Sequence, residues 1–166
     1  MAGKGKYYES QFEEATIELL RESHWQYTFG DDIHRKYTDP LIEEDLRTFL
    51  AAQYKDKRLA ASEVDGIVAN LRNTGGQNDY YALQNTFLLY RDGYDFTYSD
   101  GRENPFRLQY IDFEHPDHNI FRCVNQFVME QGRENRRPDI LLFVNGIPVC
   151  IVELKNPTKQ NATIRD

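Results

Sequence analysis

The sequence predicts an α/β fold, on three observations. Apolar residues recur at helical spacing near the start and again from about residue 40 to 92. From Tyr94 onward the period changes towards two, as in strands. Near the end, Asn145-Gly146 sits between two apolar runs, a strong hairpin signal. The expected order is a helix, a helical segment over about 40–92, and a five-strand sheet core over about 94–155. All of it is expected to form a single domain spanning 1–166.

The first helix is expected from about Ser10 to Ser23. At 100° per residue, Phe12, Ala15, Thr16, Leu19 and Leu20 form its apolar stripe, with Ile17 at the edge. Glu14, Glu18, Arg21 and Glu22 fall opposite, whereas Glu13 lands between Leu20 and Ile17, inside the apolar sector. Trp25 to Tyr37 reads as strand or loop. Asp39-Pro40 suits the N-cap and first position of a helix through Leu46, Phe49 and Leu50. Ser62 would cap another, carrying Val64, Ile67, Val68 and Leu71. A third would start near Asn78 and stop at Gly93. Strands are expected over Tyr94–Tyr98, Phe106–Phe113, Ile120–Met129, Ile140–Asn145 and Val149–Lys155.

Composition sets bounds on function. A hydrophobic content of 40% with 28% charged residues is that of an ordinary globular chain. The net charge of −7 argues against a nonspecific nucleic-acid coat, which would be basic, but not against a cation site made of acids. No stretch has the apolar length of a membrane span, and no apolar signal region follows Met1, so no membrane partner and a cytoplasmic location are expected. Cys123 and Cys150 lie in apolar runs and read as buried reduced thiols. His115 and His118, with Cys123 nearby, lack a fourth ligand at zinc spacing and read as a surface loop.

The chemistry gathers at the closing hairpin. Glu153-Leu154-Lys155 fits the pattern acid, any residue, lysine, but with 27 acids in the chain about one such match arises by chance. Its setting carries more. Glu153 and Lys155 follow the apolar run Val149–Val152, which reads as a central strand, and alternation points them to one face. If Asn145, Gly146 and Ile147 form a three-residue loop, Asp139 stands opposite Glu153; another loop length moves the register by one. Two carboxylates and an ammonium together suit a hard cation such as Mg²⁺ and phosphodiester chemistry. Arg136-Arg137, with Arg133 nearby, would add guanidiniums for phosphate oxygens. The alternative for these arginines is a solvated loop balancing Glu130 and Glu134.

The run Arg137-Pro138-Asp139-Ile140 through Val152-Glu153-Leu154-Lys155-Asn156-Pro157 resembles the nuclease motif of the PD-(D/E)xK superfamily. More closely, it resembles the N-terminal nuclease domain of the R (restriction) subunit of type I restriction–modification enzymes. Asn125-Gln126-Phe127 and Asn161-Ala162-Thr163 share that likeness. The resemblance implies a restriction-endonuclease-like core, a mixed sheet flanked by helices. It implies Asp139 and Glu153 as Mg²⁺ ligands together with the backbone carbonyl of Leu154, and Lys155 as the catalytic lysine. Glu13 matches the glutamate that the superfamily often places on its first helix; the alternative is an end-of-stripe residue reaching solvent. The implied activity is cleavage of double-stranded DNA, in a complex with modification and specificity subunits.

The family carries a Gln-x-x-x-Tyr motif on the helix after its lysine and an ATP-driven translocase beyond it, and neither follows Lys155 within these 166 residues. The chain is therefore expected to be an N-terminal fragment, inactive alone, with ATP entering only through the motor. A catalytically silent docking module of the same complex and a stand-alone repair nuclease are the competing expectations.

Overall fold

The computed structural model of the chain describes residues 4–74 and 79–154. They are arranged in two compact units. The first combines Met1–Leu41 with Phe121–Asp166, and the second, Ile42–Ile120, is inserted between them. Both helical and strand elements are present, as an α/β fold requires.

In the first unit, helix α1 runs over Lys4–Glu22 and strand β1 over Gln26–Phe29. The helix ends in a Schellman arrangement. His24 takes the left-handed conformation (φ 67°), its N–H bonds Arg21 O at 3.0 Å, and Trp25 N–H bonds Leu20 O at 2.9 Å. The half-buried face of α1 is Glu13, Thr16, Ile17 and Leu20, spaced i, i+3, i+4, i+7. This corrects the expected stripe: Phe12 and Leu19 are exposed, because the helix is rotated towards its Ile17 edge. Glu13 lies on the inward face, where its position in the periodicity put it.

Strands β4 (Phe121–Asn125), β7 (Ile140–Val144) and β8 (Ile147–Val152) complete a four-stranded sheet of order β1-β4-β7-β8. Strand β1 is parallel to β4, and the remaining pairs are antiparallel, so the sheet is mixed. Strand β7, with Ile140, Leu141, Phe143 and Val144 buried, is interior. By contrast, β8 is an edge among the described residues, with Val149, Cys150 and Ile151 exposed. The expectations of a central β8 and of a buried Cys150 both fail for this reason; Cys123, on β4, is buried. Pro148 within β8 has no N–H to give a second neighbour, which is the mark of an edge strand.

The expected strand Ile120–Met129 breaks at Gln126, whose φ of 55° turns the chain out of β4. A small hairpin follows, β5 (Met129–Gln131) with β6 (Glu134–Arg136), joined through Gly132-Arg133. Arg35 pins the preceding segment against this corner. Its guanidinium donates to Asp39 O at 2.9 Å and to Val128 O, and stacks 3.4 Å from the Phe127 ring centroid.

In the second unit, α2 (Glu43–Gln53) and α3 (Ala61–Arg72) bury Leu46, Phe49, Leu50, Ile67, Val68 and Leu71. Neither begins where expected. Asp39 closes a local turn on Leu41 N–H instead of capping a helix. The cap of α3 comes from Glu63, whose carboxylate accepts the Ala60 N–H at 2.8 Å. Helix α4 (Asp79–Asp92) stops at Gly93, as expected. A side chain there is excluded: φ is 65°, and a Cβ would lie 1.9 Å from Leu108 O. Its expected start at Asn78 lies outside the described residues.

Strands β2 (Tyr94–Phe96) and β3 (Phe106–Leu108) pair as a separate two-stranded sheet. They do not join the main sheet, so the expected five-strand core is replaced by four strands drawn from both ends of the first unit. Buried tyrosines close the second unit, Tyr110 donating its hydroxyl to Ile67 O at 2.9 Å. Among the described residues no helix is long and apolar enough to cross a membrane.

Candidate active site

The β7–β8 turn sets the geometry of the site. Val144 pairs with Ile147, so Asn145-Gly146 is a two-residue turn, with φ of 52° and 74° as a type I′ turn requires. A three-residue loop was expected. A bulge between Leu142 and Phe143 in the pairing then absorbs one residue of β8, and the pairs beyond it run Leu142↔Cys150, Leu141↔Ile151 and Ile140↔Val152. The next positions along this register are Asp139 and Glu153. The paired residues end at Ile140↔Val152, one position short of these two acids, and the shorter turn plus the bulge gives them the same sum of residue numbers as the longer loop would.

Asp139 is half-buried behind the buried Pro138, and Glu153 is exposed at the strand end. Oδ2 of Asp139 accepts the backbone N–H of Leu154 at 2.7 Å, tying the acid of β7 to the segment that follows β8. Lys155 lies outside the described residues.

Glu13 reaches the same region from α1. Its Oε1 accepts Nδ2 of Asn125 at 2.7 Å and Nε2 of Gln126 at 3.4 Å. Asn125 in turn accepts the Tyr27 hydroxyl on Oδ1 at 3.0 Å. Gln126 N–H donates to the carbonyl of Asp139 at 3.4 Å, so one residue bonds both Glu13 and Asp139. Gly30 permits this corner, since a Cβ there would lie 2.6 Å from Gln126 O. A cleft of about 400 Å³ opens here, lined by Glu13, Glu14, Glu18, Arg21, Tyr27 and Asn125. Burial first, and the charge of Glu13 second, push the Tyr27 phenol above its ordinary pKa.

Among the described residues, Glu13, Asp139 and Glu153 do not gather their carboxylate oxygens within 4.8 Å of one another. What joins them is the strand register and the Asn125-Gln126 corner. Arg133, Arg136 and Arg137 are exposed on and beside the β5–β6 hairpin, not in an irregular loop. Arg136 lies 3.7 Å from Glu134 with both side chains largely in solvent, a pair that holds little energy. Asn125 and Gln126 entered the sequence reading only through the family likeness. Tyr27 and Arg35 carried no signal, because Asn125, the partner of Tyr27, and Phe127 and Val128, which hold Arg35 at the corner, are more than 90 residues away.

The sequence model of one family, described as type I restriction enzyme R protein N terminus, matches residues 6–166. The chain belongs to this family. It is 30% identical over 166 residues to the type I restriction enzyme HindI endonuclease subunit of Haemophilus influenzae, a match covering 94% of this chain and 16% of that protein. It is 40% identical over 162 residues to the putative type I restriction enzyme MjaIXP endonuclease subunit of Methanocaldococcus jannaschii, covering 93% of the chain and 16% of that protein. This type I R-protein N-terminal domain thus spans about one sixth of the length of these curated relatives.

Proposed function

We propose that this R-protein N-terminal domain is the nuclease centre of a type I restriction enzyme, with a PD-(D/E)xK core that cleaves double-stranded DNA using Mg²⁺. The observation that carries the reading is the β7–β8 register, which brings Asp139 and Glu153 to the same end of adjacent strands. Membership of the R-protein N-terminal family supports it.

The donor set fits a hard cation. Asp139, Glu153 and the backbone carbonyl of Leu154 are all oxygen ligands, and Glu13 adds a carboxylate on the facing helix. Exposed at the strand end, Glu153 has room to turn towards Asp139. Mg²⁺ held there supplies Lewis-acid polarisation of the phosphate and acidification of a bound water. Lys155 is assigned to orient the attacking water or offset the charge developing on phosphate. Arg133, Arg136 and Arg137, exposed on and beside one hairpin, suit phosphate oxygens of the duplex. In the full-length protein, the partners would be the modification and specificity subunits, with ATP consumed by a motor region.

The test is plasmid cleavage by the full-length R protein assembled with those subunits, in Mg²⁺ and ATP. Asp139→Ala should lower cleavage by roughly 10²-fold or more while ATP hydrolysis continues. Undiminished cleavage would overturn the assignment of Asp139. Absence of cleavage in the wild-type complex, with ATP hydrolysis intact, would instead identify a silent docking module.

A further inference from the structure

A second cluster of ligating side chains lies in the inserted unit and takes no part in the proposed nuclease. Asp112 follows β3, and its side chain is only 6% exposed. Its Oδ1 accepts the backbone N–H groups of Glu114 at 3.0 Å and His115 at 2.9 Å, which bends the chain back. Its Oδ2 accepts Nε2 of Gln53, from α2, at 3.0 Å. Pro116 then opens a single 3₁₀ turn, Pro116–His118, which returns His118 to the same carboxylate.

Both imidazoles therefore present Nδ1 to one oxygen. The distances to Oδ2 are 3.1 Å from His118 and 3.6 Å from His115, and the rings stack at 4.9 Å with 18° between their planes. Hydrogen bonding accounts for His118. It does not account for His115, which at 3.6 Å is beyond a normal hydrogen bond. An ion holding its ligands tetrahedrally at about 2.0–2.1 Å keeps the ligand atoms about 3.3–3.4 Å apart. The two observed separations bracket that value, and the ligand atoms of all three residues lie within 4.8 Å of one another.

We propose that Asp112, His115 and His118 bind a Zn²⁺-class transition-metal ion, with water as the fourth ligand. Two imidazole nitrogens select such an ion over Mg²⁺ or Ca²⁺, which take oxygen. The bonds from Glu114, His115 and Gln53 orient the carboxylate as outer-shell partners do. The ion replaces the proton between Oδ2 and Nδ1 and clips the 112–118 turn to α2 through Gln53.

Zn²⁺ titrated into the whole chain against a chromophoric chelator should show one equivalent bound. Co²⁺ should give the visible absorption of a tetrahedral site. The double variant His115→Ala/His118→Ala should bind at least about tenfold more weakly. Asp139→Asn/Glu153→Gln should bind as wild type does, which keeps this outcome separate from the nuclease reading. As a readout independent of variants, Zn²⁺ should shift the imidazole nitrogen resonances of His115 and His118 in the wild-type spectrum. No uptake of Zn²⁺, unchanged affinity in the histidine double variant, or unmoved His115 and His118 resonances would each overturn the proposal.

Discussion

The carboxylate of Asp139 accepts the backbone N–H of Leu154 at 2.7 Å, across the end of the β7–β8 pair. A hydrogen bond to an ionised group contributes about 1.5–3 kcal/mol net. The same acid therefore has two tasks: it holds the end of an edge strand in register, and it is a proposed metal ligand. These tasks are separable by substitution.

Asp139→Asn keeps an acceptor for the Leu154 N–H and removes only the charge. It should melt within a few degrees of wild type. Asp139→Ala deletes the acceptor and should lose about 1–3 kcal/mol in urea denaturation. Equal losses in the two variants would mean that the bond does not hold the strand end.

The turn behind this register requires two residues in the left-handed region, Asn145 and Gly146. Gly146→Ala places a Cβ where it meets the following carbonyl oxygen, at a cost of about 1–2 kcal/mol. The loss should appear as a lower urea midpoint with an unchanged slope. A neutral substitution would contradict the type I′ turn.

Glu13 can be followed through its effect on a neighbour. Its charge is one of the causes that raise the Tyr27 phenol, after burial. Glu13→Gln should therefore bring the Tyr27 pKa part of the way back towards its ordinary value, read by carbon NMR of labelled tyrosine. An unmoved Tyr27 would show that Glu13 does not face the cleft.

Several of these features were legible in the sequence for local reasons. Asn-Gly between apolar runs identified the hairpin, Gly93 ended α4, and helical periodicity singled out Glu13 as the acid facing inward. What was not legible depends on distant partners. The parallel pairing of β1 with β4 joins residues nearly 100 positions apart, and no local pattern encodes it. The β5–β6 hairpin is hidden by its charge, since its strands bury too little to alternate, though Gly132 marks its turn. Strand β8 reads as central because its residues are apolar; Pro148 was the contrary signal. Of the candidate site, the placing of Asp139 and Glu153 at one end of the hairpin followed from the sequence, while the bonds of the Asn125-Gln126 corner, marked there only by the family likeness, needed the fold.

The inserted unit should lose stability in acid through Glu63. Its carboxylate takes Arg102 Nη2 at 2.5 Å and the Ala60 N–H at 2.8 Å, and the Arg102 bond is the first cause holding it below the usual carboxylate range. Because the folded pKa is depressed, the stabilisation is complete above the unfolded value of about 4.3. It is lost as pH falls through the folded value. Between pH 7 and 3.5 the urea midpoint of Glu63→Gln should fall less than that of wild type. Identical falls would remove Glu63 from the acid response.

The most direct measurement of the nuclease centre is isothermal titration of Mg²⁺, an ion that an imidazole-rich site disfavours. Wild type should bind saturably, and Asp139→Asn and Glu153→Gln, both folded, should each bind at least about tenfold more weakly. Equal Mg²⁺ affinity in all three proteins would contradict the assignment of Asp139 and Glu153 as the metal-holding pair.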